Sequence, residues 1–281
     1  MRTGGRSVKR SLRVVVVFLF LSICLSANLS AQTTADDELK LGVQSYKQSR
    51  FEEAASHFER CVALDPANTN GHLYLATTFA QQYIPGAETP DNIRFAEQAI
   101  AQYQRVLDGN PEIPARINSM KGIAYLYLQM KKFDDSKKYY RMAADSDPND
   151  PENYYSVGVI DWTLTYVPRQ EKRARLGLKP DQALWTKDRM ACFETKEQNA
   201  ANIQEAIDNL NKAIQLRPDY DDAMAYMNLM YREKADVECD DLAARKKDLR
   251  TADEWVDKTM ATKKAKSEKA APASESSTNP Q

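Results

Sequence analysis

Small and apolar residues recur along this chain with a helical period, and one short pattern of them appears four times. The first copy consists of Leu41-Gly42, Phe51, Ala54, Phe58 and Pro66. Phe51 and Phe58 lie seven residues apart and so share one face of a helix. Gly42 and Ala54 sit where two paired helices would cross, and a larger side chain there would overpack the contact at a typical cost of ~1–3 kcal/mol. Pro66 cannot continue a helix and biases Asp65 away from helical backbone, so Asp65-Pro66 reads as a stop. The second copy uses Leu75-Ala76, Phe79, Ala99, Tyr103 and Pro111. Its two helices are separated by an insertion near 83–92, where Pro85-Gly86 and Pro90 mark a loop.

The third copy has no insertion: Ile123-Ala124, Tyr127, Phe133, Ser136, Tyr140, Ala143 and Pro148. The fourth starts at Val157-Gly158 and resumes at Ile203, Ala206, Leu210, Ala213 and Pro218, around a long insertion near 168–200. A fifth first helix is expected from Asp221 through Tyr231, and a last helix from Leu242 to Met260. The apolar stripe of that last helix is read as Leu249, Ala252 and Val256, with Trp255 beside it and a polar remainder suited to capping the end of an array. Beyond it, residues 261–281 lack aromatic and large apolar side chains and are expected to be disordered.

The spacing of these four copies, each closed by Pro66, Pro111, Pro148 or Pro218, resembles the tetratricopeptide repeat. The resemblance covers about 35–260 and implies an all-α fold: a right-handed superhelix of paired helices, with about four to five repeats and a C-terminal capping helix. The departures are the two insertions, the missing tryptophan of the first helix, and Ser136 in place of alanine. About three repeats are needed to bury a continuous core, and this chain has enough. Only 9 glycines occur, which suits packed helices better than a turn-rich β protein. The stretches from Arg217 to Tyr226 and from Ala252 to Lys258 also resemble a group of secreted bacterial repeat proteins to which no activity attaches.

The first residues change the picture of location. Arg2, Arg6, Lys9, Arg10 and Arg13 precede an apolar run from Val14 to Leu25, and small residues follow through Ala31. These are the three parts of a signal peptide, read as 1–31 with cleavage after Ala31 or after Ala27, and they imply a periplasmic or secreted protein. An uncleaved anchor and a lipidated Cys24, after Leu21-Ser22-Ile23, are the alternatives and the only predicted membrane association. Removing this segment leaves 39 − 5 = 34 basic against 40 acidic residues, a net charge of 34 − 40 = −6, which argues against nucleic acid as a partner. Of the three cysteines that remain, Cys61 reads as a buried apolar filler, and Cys192 and Cys239 either pair or stay free.

In the family it resembles, first helices line the concave side and commonly receive partners. That implication places Tyr74, Gln81, Asn118, Tyr125, Gln129, Tyr155, Trp162 and Tyr226 on a face for a protein or peptide partner. Tyrosine and tryptophan supply large contact area with a polar handle, and amides can pair with a peptide backbone. The competing reading of each aromatic is packing between repeats. Some members of the family hold a C-terminal carboxylate through a Lys, Asn, Asn, Lys, Arg clamp. Leu39, Val43, Tyr74, Asn118 and Gly122 stand at those positions, none matching, which disfavours such a ligand.

The second candidate surface is the long insertion, with Arg169, Lys172, Arg173, Arg175 and Lys179 followed by Leu184, Trp185, Met190 and Phe193. It is either a functional segment or a local helix that packs Trp185 and Phe193 back on the array. Catalytic and cofactor motifs are missing. His57 and His72 have no partner at zinc-site spacing, no glycine-rich phosphate loop or Gly-x-Ser-x-Gly elbow occurs, and acidic pairs such as Glu52-Glu53 are adjacent on a helix and do not face each other. The expectation is therefore an extracytoplasmic, non-enzymatic scaffold without cofactor or metal. A small-ligand receptor or enzyme with a site walled by the insertions is the alternative.

Overall fold

The computed structural model describes residues 33–179 and 182–270. The predicted signal segment, Cys24 and residues 271–281 lie outside the described residues. Among the described residues all regular structure is helical: ten α-helices and one short 3-10 turn. They form two compact units that divide between Asn68 and Thr69.

The first unit contains the pair α1 (Ala35–Lys47) and α2 (Phe51–Leu64). Thr34 starts α1 with a capping box: its hydroxyl accepts the Asp37 N–H at 3.2 Å, and the Asp37 carboxylate accepts the Thr34 N–H at 3.2 Å. The chain reverses at Ser49, which takes a left-handed φ of 57° and donates to the Tyr46 carbonyl. Gly42 lets the helices meet, since a Cβ there would lie 2.5 Å from the Phe58 ring. Ala54, Phe58 and Cys61 are fully buried beneath this contact.

The second unit holds four more pairs: α3 (Thr69–Gln82) with α4 (Pro90–Asp108), α5 (Ile113–Gln129) with α6 (Phe133–Ser146), α7 (Pro151–Arg175) with α8 (Arg189–Leu216), and α9 (Asp221–Asp236) with α10 (Leu242–Ala270). The repeat written in the sequence is repeated in backbone geometry. Asp65, Asp147 and Arg217, each before a proline, have φ/ψ of −135°/90°, −137°/89° and −133°/90°, and each donates its N–H at 2.9 Å to the carbonyl four residues back. The extended backbone before proline thus ends three second helices identically. The copy ending at Pro111 stops differently, through Gly109 and a left-handed Asn110 with φ 50°. The tight reversal of the first unit recurs at Lys131, with φ 58°.

The small-residue positions keep their role in each pair. Ala76, Ala99, Ala124 and Ala206 have no exposed surface, and a Cβ on Gly158 would lie 2.7 Å from Leu210. Ser136, where the repeat usually has alanine, is fully buried and donates to the Ala124 carbonyl at 2.7 Å, so its hydroxyl is satisfied within the helix pair. The loop before α4 is pinned by buried Asn92. Its amide donates to the carbonyls of Ile84 and Ala87 and accepts the Ile84 N–H.

Three points of the sequence reading are refined. The insertion near 168–200, read as either a functional segment or a local helix, is helical over most of its length: α7 runs on through Pro168 to Arg175, α8 begins at Arg189, and only a short connector lies between. Proline removes one helical N–H at Pro168, yet Arg169 and Arg173 beyond it are buried against acidic residues of α9, and Asn199 of α8 donates to the Thr165 carbonyl beside the break. Second, α10 continues ten residues past Met260 to Ala270, with Lys266 ion-paired to Asp221 and Thr262 reaching Met224. Third, the buried face of α10 is Asp248, Ala252 and Thr259, while Val256 is 38% exposed, so the apolar stripe read from the sequence was rotated. Cys192 and Cys239 form a disulfide, with Cα atoms 5.7 Å apart, which ties α8 to the turn after α9. Leu184, Leu176, Leu178 and Trp185 of the connector pack around it, while Phe193 stays 40% exposed.

Gly42→Ala and Gly158→Ala each place a methyl group inside an existing contact. Each is expected to lower the free energy of unfolding by ~1–3 kcal/mol, read as a lower denaturation midpoint at unchanged slope. Unchanged midpoints would show that the helix pairs are not held at these crossings.

Candidate functional site

The residues assigned to the first-helix face divide into two groups in the second unit. Tyr74 and Gln81 lie two turns apart on α3, and Asn118 and Tyr125 lie two turns apart on α5, so each pair shares one face of its helix. α3 and α5 pack against one another. Tyr74 is 36% and Tyr125 45% exposed, Gln81 and Asn118 are exposed, and Gln129 is half-buried. Lys121, between Asn118 and Tyr125, pairs with Asp150 at 2.7 Å, which leaves little uncompensated charge here. Burial raises the Tyr83 phenol above its ordinary range, and neighbouring Tyr125 adds to the effect.

Tyr155, Trp162 and Tyr226 turn instead into the contact between α7 and α9. Trp162 stacks on Tyr166 at 4.7 Å and meets Tyr226 edge-on at 5.3 Å, while Tyr155 lies 5.7 Å from Tyr226 and 4.9 Å from Tyr220. This group packs against the core of Leu210, Met227 and Met230. Burial drives the Tyr155 and Tyr226 phenols upward. The three aromatics are half-buried and serve as inter-repeat packing, the competing reading of the sequence; helical spacing alone does not distinguish packing from open contact surface. Just outside the group, Glu152 accepts from the Tyr220 hydroxyl at 2.6 Å and from Arg217 at 2.7 Å, and the Arg217 guanidinium lies 4.3 Å over the Tyr220 ring. This assigns a structural role to the Arg217–Tyr220 stretch.

Two buried ion networks were not anticipated. Lys137 of α6 pairs with Asp161 of α7 and, at 2.9 Å, with Glu205 of α8, which also binds Arg141. Arg169 of α7 pairs with Asp236 and, at 2.6 Å, with Glu233 of α9, and Arg173 joins Asp236 at 2.9 Å. Burial pushes the Asp161 and Glu233 carboxyls up to about 7, opposed by their Lys137 and Arg169 partners. A usable signal was present. Arg169 and Arg173 at i,i+4 on one helix face Glu233 and Asp236 at i,i+3 on another, and Asp161 follows Val157-Gly158 on the buried period.

Both histidines are occupied in hydrogen bonds, His57 with Glu38 at 2.6 Å and His72 with Gln102 at 2.7 Å. Among the described residues no group of three His, Cys, Asp or Glu side chains is placed to hold a metal.

A family model described as Tetratricopeptide repeat matches residues 122–150, from the middle of α5 through α6. Solved structures share the arrangement over most of the chain. A MamA protein has a TM-score of 0.54 at 13% identity, with 88% of this chain and 98% of that one covered. MamA from Desulfovibrio magneticus RS-1 has 0.53 at 14% identity, covering 82% and 96%. The fold is that of the tetratricopeptide repeat. YrrB, described as a TPR protein with an unusual peptide-binding site, is similar in the same way, with a TM-score of 0.51 at 11% identity and 84% and 94% covered. No curated protein matches the sequence. At these identities the likeness to solved structures concerns the tetratricopeptide fold alone.

The two groups of aromatics on this tetratricopeptide scaffold are separable by stability. Trp162→Ala is expected to cost ~3–5 kcal/mol of folding free energy, the range for removing a large packed aromatic, whereas Tyr125→Ala should stay within ~0.5 kcal/mol. Thermal or denaturant unfolding of the two variants checks the contrast, and equal losses would refute the division.

Proposed function

We propose that this tetratricopeptide repeat protein is an extracytoplasmic scaffold that holds a protein or peptide partner on the face of its first helices. The observation that carries the reading is the pairing of Tyr74 and Gln81 on α3 with Asn118 and Tyr125 on α5, an exposed aromatic-and-amide surface on two helices in contact. Tyrosines give rigid contact area at low entropic cost and are enriched at interaction hot spots, and the amides can pair with a polypeptide backbone. The repeat fold is typically an interaction scaffold, and YrrB, of the same fold, is described by its peptide-binding site. With Leu39, Val43, Tyr74, Asn118 and Gly122 at the positions of the family's carboxylate clamp, the partner would be gripped along its length and not by its terminus.

Location beyond the cytoplasm rests on the N-terminal charge, apolar and small-residue order, and it agrees with the Cys192–Cys239 disulfide, since such bonds persist in oxidising compartments. Among the described residues no helix is long and apolar enough to cross a membrane.

Crosslinking in native cells followed by mass spectrometry, with wild type and the Tyr74→Ala/Tyr125→Ala double variant, tests the partner face. Captured partner is expected to fall by about tenfold or more with the melting temperature unchanged, in line with loss of a hot spot. Full capture by the folded double variant would sink the reading. Location is checked on protein purified without reductant: the mature chain should begin at Gln32 and yield the Cys192–Cys239 linked peptide. A chain retaining Met1 with both thiols reduced would contradict it.

A further inference from the structure

A cleft of about 620 Å³ opens between the C-terminal part of α7, the end of α9 and the start of α10, away from the α3–α5 face. Its volume falls within the ~300–1,000 Å³ of small-molecule sites. Four guanidinium groups line it, from Arg169 and Arg173 on α7, Arg232 on α9 and Arg245 on α10, against one lining carboxylate, Asp236. Three of the four have acidic partners: Arg169 has Glu233 and Asp236, Arg173 has Asp236, and Arg232 has Asp253 at 2.8 Å.

Arg245 has none among the described residues, although acidic side chains flank it by about one turn on both sides. The Asp241 carboxylate is taken by the N–H groups of Ala243 and Ala244 at 2.9 and 2.8 Å, where it caps α10. Asp248, 4% exposed, accepts from Lys234 at 3.1 Å through Oδ1, and its Oδ2 is buried without a hydrogen-bond partner. The Arg245 Nε is buried and unpaired, as is the Nε of Arg169, a residue only 8% exposed. The fork geometry of a guanidinium suits a carboxylate or phosphoryl group. Leu178 and Leu249 complete the wall with apolar surface.

We propose that this cleft binds a small organic anion, an oxyanion head attached to an apolar body. Arg245 and Arg232 receive the head from α10 and α9, and Leu178 and Leu249 contact the body. Arg169 and Arg173 contribute positive potential while remaining engaged with α9. The site is assembled by the helical extension of α7, with Leu178 just beyond it, against α9 and α10, and it does not depend on the proposed partner face.

Isothermal titration of the purified protein with phenyl phosphate, benzoate, inorganic phosphate and benzyl alcohol tests the proposal. Phenyl phosphate or benzoate is expected to bind one per chain, and more tightly than inorganic phosphate, while benzyl alcohol shows no binding. Whichever of the two binds identifies the head as phosphoryl or carboxylate. Because Arg245 makes no ion pair among the described residues, Arg245→Ala should leave the ligand-free melting temperature unchanged and weaken binding at least tenfold, with Arg245→Lys retaining part of it. Arg232→Gln, at a half-exposed position, gives a second reading and should weaken binding severalfold. Absence of binding by both anions at millimolar concentration, or equal affinity in wild type and the folded Arg245→Ala and Arg232→Gln variants, would overturn the proposal, as would binding of benzyl alcohol as tight as that of the anions.

Discussion

Two helices can close to direct contact only where one of them carries little or no side chain. That constraint governs this chain more than any other. Gly42 against Phe58 and Gly158 against Leu210 bring the members of a pair together, and Gly122 against Tyr103 brings α5 onto α4 of the preceding pair. Each contact is a large side chain filling the space that a missing Cβ leaves, so volume is conserved across the crossing. Ala99, Ala124 and Ala206 serve the same end with one methyl group. The stop before each proline then fixes the length of the second helix, and near-identical backbone angles at Asp65, Asp147 and Arg217 keep those ends in register with the crossings.

Where the repeat is lengthened, a different interaction takes over. The continuation of α7 past Pro168 lacks a dense apolar face and is held by Arg169 and Arg173 against Glu233 and Asp236, with the Cys192–Cys239 bridge and Leu184 beneath the connector. Buried ion pairs are weak sources of net stability but strict about geometry, because breaking one partner leaves a charge without compensation. The extension is thus fixed in position by charge where the ordinary repeats are fixed by shape. Lys137, Asp161 and Glu205 play the corresponding part across α6, α7 and α8. This difference in what holds the helices is also why an arginine-lined cleft occurs at the extension.

The candidate partner face was legible only in part. Tyr74, Gln81, Asn118 and Tyr125 could be placed on first helices by period, and they are exposed in the structure. Tyr155, Trp162 and Tyr226 have the same spacing and are drawn inward, because α7 and α9 pack together and need aromatic volume between them. Period reports which residues share a face, but it carries no information on what that face meets. The rotated stripe on α10 has the same origin: Asp248 and Thr259 are buried by a neighbouring helix, while Val256, more apolar, is left at the surface.

The sequence by itself determined the helical pairs, their crossings and the stops before Pro66, Pro148 and Pro218, because at those positions a glycine, an alanine or a proline acts through local sterics. Only the tertiary structure decided the pairing of Cys192 with Cys239, the helical course of the chain through Pro168, the inward turn of Trp162 and the isolation of Arg245 from its acidic neighbours. Each of those depends on groups far apart in the chain, and their energies arise only when the packed helices bring them within a few ångströms.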